Sequence, residues 1–161
     1  ARFNSEKIVL EKEEINLSLM LEQRVDDFYP ILKELNKNVI IDKKDTITVF
    51  ADSDKLSRVF SNLVKNAISY SKENSDIKIN LYKVNNNAVI EFINKGKEIP
   101  KEKLNKIFEK FYRLDSARNS KTGGSGLGLA ISKKIVELHR GEIVAKSNRN
   151  ETVFKVKLPI D

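Results

Sequence analysis

The stretch KTGGSGLGLA, residues Lys121–Ala130, is the part of this sequence around which the rest is organised. It contains four of the six glycines of the chain, Gly123, Gly124, Gly126 and Gly128. Glycine lets a ligand approach the main chain because it has no Cβ. An apolar pattern at helical spacing follows, at Leu127, Ile131, Ile135 and Leu138.

The start of such a helix favours anions, because its first N–H groups have no intrahelical partner and carry the positive end of the helix dipole. The glycine stretch therefore predicts a phosphate site. A flexible turn without a ligand is the alternative interpretation. Neither the P-loop pattern nor the dinucleotide fingerprint is present in this sequence.

Composition limits the class of protein. A chain of 161 residues with 40% hydrophobic residues and a mean hydropathy of −0.43 is typical of one soluble globular domain. No apolar run reaches the roughly 18 residues that a membrane span needs. The sequence has no cysteine and one histidine, which excludes disulfides and argues against a transition-metal cluster.

The net charge of +7 has two interpretations. It favours an anionic partner such as a nucleotide, a nucleic acid or an anionic membrane. It also fits a solvated lysine-rich surface, because acidic residues are interspersed along the chain. A nucleic-acid binder is disfavoured, because no surface motif combines aromatic and basic residues.

The order of predicted elements indicates a two-layer α+β sandwich. Hydrophobic alternation predicts strands at residues 7–15, 39–42, 46–51, 77–83, 88–94, 142–147 and 152–158. Helical periodicity predicts helices at residues 17–35, 53–71 and 101–111, and after Gly128. Pro30 should kink or divide the first helix, and Asp52 is a good start for the second. We find no repeat and no linker, so one domain spans residues 1–161.

The second predicted helix carries two amides at i and i+4. Asn62 and Asn66 lie on one margin of its apolar stripe, with Tyr70 a turn further on. An amide oxygen is a suitable ligand for Mg²⁺ together with substrate phosphates, so Asn66 is a candidate metal ligand. Neither asparagine can act as a general base. The alternative is that both amides only bond a neighbouring loop.

Three motifs in this order resemble those of sensor histidine kinases. NLVKNA (Asn62–Ala67) resembles their asparagine box, IPKEKLNKIFEKFYRLD (Ile99–Asp115) their phenylalanine box, and GSGLGL (Gly124–Leu129) their second glycine box. The trailing ELHRGEI agrees, and the resemblance covers nearly the whole chain. The residues around the boxes are most similar to the VanS-type sensors of glycopeptide resistance.

The resemblance implies a Bergerat-type fold, a mixed sheet with helices on one face, as in the gyrase B and MutL ATPases. It implies the cytoplasmic ATP-binding domain of a membrane-anchored sensor of two-component signalling. This protein-histidine kinase domain would bind ATP and Mg²⁺ and present the γ-phosphate to a histidine in a separate dimerisation domain. A response regulator would act downstream. The fragment would be monomeric and its parent homodimeric, with the phosphoacceptor and membrane domains absent here.

The resemblance also implies roles for single residues. Asn66 matches the Mg²⁺ ligand and Asn62 a catalytic residue near the phosphates, while residues 114–124 match a mobile ATP lid. Independently of the resemblance, residues 1–16 are expected to form a lead-in strand. Phe108 and Phe111 match the aromatic pair at the root of the lid; without the resemblance, both would be interpreted as core residues. The ATP-contacting set that the resemblance implies is Asn62, Asn66, Tyr70, Asn94, Gly96, Ile99, Phe108, Phe111, Arg113, Lys121, Gly124, Ser125, Gly126, Leu127, Gly128 and Leu129.

Three positions depart from the family pattern. Asn94 stands where the family has an aspartate that receives the adenine amino group, and Glu98 replaces a glycine. Asn94 follows Ile90 and Phe92 on one face of a strand, so it still reaches an apolar base pocket. Ser69 replaces a lysine. The missing positive charge comes from Lys65, Arg113 or Lys121, and the sequence does not distinguish among the three.

The single histidine, His139, is not expected to accept phosphate. It lies where the family has a structural turn, and a helix rising 1.5 Å per residue places it roughly 16 Å from Gly128. Related ATPases carry a glutamate at the position of Asn62 to orient water, so this sequence argues against hydrolysis. The rival function is a catalytically weak nucleotide-sensing or protein-interaction module of the same fold.

Overall fold

The structure is a computed structural model that describes residues 8–112 and 128–161. The strands within these residues are β1 (Lys12–Asn16), β2 (Val39–Lys43), β3 (Thr48–Asp52), β4 (Ile77–Val84), β5 (Asn87–Lys95), β6 (Glu142–Asn148) and β7 (Glu151–Pro159). The helices are α1 (Leu17–Asp26), α2 (Tyr29–Glu34), α3 (Ser53–Tyr70), α4 (Lys101–Leu104) and α5 (Gly128–Leu138). The predicted lid, residues 114–124, lies outside the described residues.

Five strands form one mixed sheet in the order β2-β4-β5-β7-β6. Among the described strands of this sheet, β2 and β4 pair in parallel, and the other pairs are antiparallel. β1 and β3 form a separate antiparallel pair. The sequence predicted β2 and β3 as neighbours along the chain, but it held no sign that they join different sheets.

The helices pack on one face of the large sheet, and this confirms the two-layer α+β prediction. Phe60 of α3 contacts Phe92 of β5, with ring centroids 6.0 Å apart. β7 alternates as predicted. Its buried residues are Thr152, Phe154, Val156 and Leu158. The core thus lies between α3 and the inner face of β5 and β7.

α3 is the helix that the sequence defines best. Its apolar stripe is buried as predicted, with Leu56 and Phe60 at 0% exposure. The Asp52 side chain caps the helix by accepting from the Lys55 backbone N–H at 3.1 Å. The predicted division at Pro30 is also confirmed, because α1 ends at Asp26 and the proline lies in the first turn of α2.

The helix predicted at residues 101–111 is wrong in length. α4 ends at Leu104, and the chain continues in turns with i→i−3 hydrogen bonds, such as Lys106 N–H to the Lys103 carbonyl at 2.9 Å. Phe111 has a φ of 67° and cannot belong to a helix. These turns bury Ile107 to 2% exposure, so tertiary packing overrides the helical propensity of the segment.

The buried face of α5 also differs from the predicted stripe. Ser132, Ile135 and Val136 are buried, whereas Ile131 and Leu138 are half-buried. The reason is a polar contact with α3 at Ser132, which is described below. No helix within residues 8–112 and 128–161 combines the length and the apolarity that crossing a bilayer requires.

Candidate functional site

The middle of α3 meets the first turn of α5. Asn62 donates through Nδ2 to the Gly128 carbonyl at 3.1 Å and to the Ser132 hydroxyl at 3.2 Å. A Cβ on Gly128 would lie 3.4 Å from the Asn62 amide, which is an ordinary van der Waals contact. Asn62 therefore holds the start of the glycine helix against α3.

Asn66 lies one helical turn beyond Asn62, on the predicted margin of the stripe. Its side chain is half-buried. Within residues 8–112 and 128–161, no group accepts a hydrogen bond from this amide or donates one to it. The two asparagines of the predicted pair therefore differ. The Asn62 amide is hydrogen-bonded to Gly128 and Ser132, while the oxygen and the amino group of Asn66 are available to bind a ligand.

Asn94 lies near the end of β5 on the inner face of the sheet. Its exposed fraction is 4%, and it shares that face with Ile90 and Phe92, as the strand alternation predicts. Its strand neighbour is Thr152, whose hydroxyl bonds Ser147 at 2.9 Å. The Asn94 amide has no hydrogen bond to another described residue. It is a buried polar group aimed into the layer between helices and sheet.

Gly96 joins the end of β5 to the end of α3. A Cβ at this position would collide with the Tyr70 carbonyl oxygen, so only glycine fits. The Lys72 N–H donates to the Lys95 carbonyl at 2.7 Å, and the Gly96 N–H donates to Asn150 at 2.8 Å. These contacts place Asn94 beside the C-terminal turn of α3, where Tyr70 is 37% exposed.

The two predicted aromatic residues have different environments. Phe108 packs edge-on against Phe154 at 6.1 Å, and the Lys133 ammonium lies 5.7 Å from its ring centre. Phe111 is 67% exposed. Phe108 therefore belongs to the edge of the core, and the interpretation of Phe111 as a core residue is wrong.

Glu98, which replaces a glycine of the family pattern, bonds a turn. Its carboxylate accepts from the Arg149 N–H at 3.1 Å, in the connection between β6 and β7. The neighbouring Ile99 N–H donates to the Ser147 hydroxyl at 2.8 Å. Both contacts fix the segment that leaves β5, so Glu98 is engaged away from the amides of Asn66 and Asn94.

A second polar cluster lies at the other end of α3, and we name it the capping cluster: Asp52, Lys55 and His139. His139 is 4% exposed, and its Nε2 accepts from the Asp52 N–H at 3.0 Å. Nδ1 therefore carries the proton and donates to the Ile135 carbonyl at 2.9 Å. Burial lowers the pKa of His139, and the positive charge of Lys12 adds to this effect.

The Asp52 carboxylate is satisfied on several sides. It accepts from the Glu11 N–H at 2.9 Å and the Lys55 N–H at 3.1 Å, and the Lys55 ammonium lies 3.6 Å away. Burial opposes ionisation, but these hydrogen bonds and the lysine outweigh it, so the pKa of Asp52 is lowered. Sequence reasoning found Asp52 as a cap but missed its contact with His139, 87 residues away.

Sequence reasoning also missed Lys37. This residue is 8% exposed, and its ammonium donates to the Ser71 carbonyl at 3.0 Å and to the Ser71 hydroxyl. Burial lowers the pKa of Lys37, against the opposing influence of Glu73. The lysine caps carbonyls at the C-terminus of α3, where the helix dipole is negative. A single lysine between a predicted helix and a predicted strand gives no sequence signal for this role.

The remaining predicted contacts are only partly within the described residues. Leu129 is half-buried and packs against the core. Six predicted contact residues lie outside the description: Arg113, Lys121, Gly124, Ser125, Gly126 and Leu127. In the described part, no three histidine or acidic side chains converge to hold a metal. A cation here would take the Asn66 oxygen, which suits Mg²⁺, and oxygens of a bound phosphate.

Comparison with known proteins gives consistent matches. Residues 51–161 match the family described as histidine kinase-, DNA gyrase B- and HSP90-like ATPases. The chain is 51% identical to the sensor protein VanS of Enterococcus faecium, over 98% of this chain and 41% of that protein. It is 42% identical to VanSC of Enterococcus gallinarum, over 98% and 44%. The chain thus spans less than half the length of these curated relatives.

Solved structures agree with the fold. The nucleotide-free catalytic domain of the histidine kinase ThkA is 31% identical, with a TM-score of 0.83 over 94% of this chain and 97% of that chain. ThkA in complex with the response regulator protein TrrA is 30% identical, with a TM-score of 0.83 over 98% of this chain and 44% of that chain.

Proposed function

This chain belongs to the family of histidine kinase-, DNA gyrase B- and HSP90-like ATPases, and on that premise we propose that it is the ATP-binding catalytic domain of a sensor histidine kinase. It binds Mg·ATP and presents the γ-phosphate to a histidine in a separate dimerisation domain of its parent. The parent is a homodimeric, membrane-anchored sensor of two-component signalling with this domain in the cytoplasm, and the isolated domain is monomeric.

The observation that carries the proposal is the unequal state of the two asparagines of α3. Asn62 holds Gly128 at the start of α5 through a 3.1 Å hydrogen bond. Asn66, one turn away, has an amide that is half-buried and unpaired among the described residues. A cation with phosphate oxygens suits this arrangement, because an amide oxygen is a ligand that Mg²⁺ accepts together with waters and substrate phosphates.

Each residue has a distinct task in the proposed site. The Asn66 oxygen holds Mg²⁺, and Asn62 positions the first turn of α5 so that its N–H groups face the phosphates. The Asn94 amide contacts the base, and Tyr70 lies at the edge of the base site. Mg²⁺ held there would supply positive charge opposite the transferring phosphoryl group. The lid at residues 114–124 and the glycines before Gly128 complete the phosphate side.

Neither asparagine of the pair in α3 is a nucleophile. Asparagine cannot take a proton from water, so rapid hydrolysis is not expected. His139 is 4% exposed, and both its nitrogens are engaged. The phosphoacceptor histidine therefore comes from another domain. ThkA forms a complex with a response regulator, which supports a response regulator as the downstream partner of this parent protein as well.

Thermal unfolding tests the nucleotide site. Millimolar Mg·ATP should raise the melting temperature, because a ligand that binds only the native state stabilises it by mass action. Asn66→Asp should change the dependence of this shift on Mg²⁺ concentration. Asn87→Asp adds the same charge at the far end of β5 and should leave it unchanged. The absence of any shift with the native chain would refute the site.

A phosphoryl-transfer assay tests whether the phosphoacceptor histidine lies on a separate domain. Incubated alone with γ-labelled ATP, the chain should stay unlabelled. The histidine-bearing dimerisation hairpin of its parent, added to the mixture, should acquire acid-labile label. Label on this chain alone that disappears in His139→Gln would contradict the role given to His139.

A catalytically weak nucleotide-sensing module of the same fold is the second candidate. Asn94, Glu98 and Ser69 favour it, because none of the three is the residue of the family pattern. The same labelling experiment separates the two functions: a sensing module shows the thermal shift with Mg·ATP but never labels the hairpin.

A further inference from the structure

The amide of Asn94 presents two kinds of hydrogen-bonding group to the same place. It is 4% exposed and lies on the inner face of β5. An asparagine side chain carries an acceptor oxygen and a donor NH₂, and a half-turn about its last bond exchanges them. A carboxylate at this position would present acceptors only.

Nothing in the described part of the chain holds the Asn94 amide in one orientation. Its strand neighbour Thr152 uses its hydroxyl on Ser147, 2.9 Å away. The Glu98 carboxylate is engaged with the Arg149 N–H. Gly96 has no side chain that could bond the amide. A Cβ built at this position would lie 3.5 Å from the Asn94 Nδ2 and would make only van der Waals contact. The amide can therefore turn to suit its ligand.

Adenine differs from the 6-oxopurines in the substituent at position 6. Adenine carries an amino group there, which donates, and guanine and hypoxanthine carry an oxygen, which accepts. A carboxylate facing position 6 accepts from the amino group but meets the oxygen of a 6-oxopurine with another acceptor. An amide accepts from the one and, after a half-turn, donates to the other.

We propose that Asn94 makes the nucleotide site tolerant of the group at position 6, so that 6-oxopurine triphosphates bind beside ATP. The inference rests on the proposed function, because it requires the base to lie against Asn94. It assigns the substrate class as purine nucleoside triphosphates rather than ATP alone. A neutral amide also binds the adenine amino group less tightly than a carboxylate does, since charged hydrogen bonds are stronger.

The test is calorimetric titration of the whole chain with ATP and inosine triphosphate in the presence of Mg²⁺. The two nucleotides differ at position 6 and in the hydrogen that hypoxanthine carries on N1, and this second difference is the same for the native chain and for each variant. The dissociation constant of inosine triphosphate divided by that of ATP should rise by about tenfold or more in Asn94→Asp, because the carboxylate then faces the oxygen at position 6 with another acceptor. Asn87→Asp, the matched charge control on the same strand, should keep the native ratio. A ratio that changes less than this in Asn94→Asp overturns the inference.

A second measurement needs no variant. The native chain is titrated with purine riboside triphosphate, which has only hydrogen at position 6. Both ATP and inosine triphosphate should bind more tightly than this compound, because the amide bonds either substituent. Inosine triphosphate binding more weakly than the unsubstituted purine would overturn the inference. Failure of all three nucleotides to bind would instead refute the proposed function.

Discussion

Two polar regions, one beside each end of helix α3, hold polar groups whose hydrogen bonding differs. In the capping cluster, His139 uses both ring nitrogens and Asp52 accepts from two backbone N–H groups. In the second region, which we name the amide region, Asn66 and Asn94 have no hydrogen-bond partner among residues 8–112 and 128–161. Burial of polar groups is common to both, so burial does not mark function. The presence or absence of partners does.

The difference has a physical origin. A buried polar group that loses its partner costs about 1–3 kcal/mol, so a closed cluster stabilises the native state, and its residues respond to mutation through stability. An amide without a protein partner contributes little to folding and remains available to a ligand. The largest effects at the capping cluster should therefore appear in unfolding, and those at the amide region in binding.

The largest effect should follow from Asn66→Ala. Loss of a direct metal ligand should weaken Mg·ATP binding by about a hundredfold or more, since even outer-shell changes cost 10- to 100-fold in metal affinity. The free energy of unfolding without nucleotide should change by less than about 0.5 kcal/mol, because no described partner loses a bond. Calorimetry and urea unfolding measure the two quantities. Unchanged affinity with lower stability would place Asn66 in the same class as the capping cluster.

Asp52→Ala should act on stability instead. It removes the helix cap and leaves two backbone N–H groups without their acceptor, which should cost about 2 kcal/mol of unfolding free energy. Asp54→Ala, an exposed acidic residue in the same turn, should cost less than about 1 kcal/mol. Urea unfolding measures both variants. Equal losses would mean that the contacts of Asp52 add nothing beyond its charge.

The pH dependence of stability sharpens the comparison further. The pKa of His139 is lowered below its ordinary 6.5, so the unfolded chain binds the proton more readily. The contribution of neutral His139 to the free energy of unfolding is fully present above pH 6.5. It decreases on acidification, by at most about 1.4 kcal/mol per pH unit for one proton. The lowered pKa of Asp52 predicts a second decline below its ordinary value of 3.8. His139→Gln should flatten the unfolding free energy between pH 7 and 5.

The smallest effect is expected for Asn94→Leu. The two side chains are similar in size, and the amide has no described partner to lose. Replacement of such a group by an apolar one is close to neutral. The free energy of unfolding should change by less than about 0.5 kcal/mol, measured by thermal and urea unfolding. A loss above 2 kcal/mol would show that Asn94 is structurally engaged, as His139 is.

Much of the fold could be predicted from the sequence because its signals are local. The periodicity of α3, the cap at Asp52, the division at Pro30 and the alternation of β7 all concern residues within a few positions of each other. The box motifs are local as well, and they identified the sensor kinase family and its VanS-type members, which the comparisons confirm. Chemistry that depends on residue type and spacing can be recognised in this way.

Tertiary structure decided which polar residues are free. Asn62 and Asn66 have the same spacing from the core stripe, yet only the fold brings Gly128 and Ser132 to Asn62 and leaves Asn66 open. The fold likewise brings His139 to Asp52 across 87 residues. A hydrogen bond depends on distance and angle between two atoms, and a sequence states neither for residues far apart. The sequence by itself therefore determined the family and the candidate residues, and only the packing of α5 and β5 against α3 decided which of them remain available to a ligand.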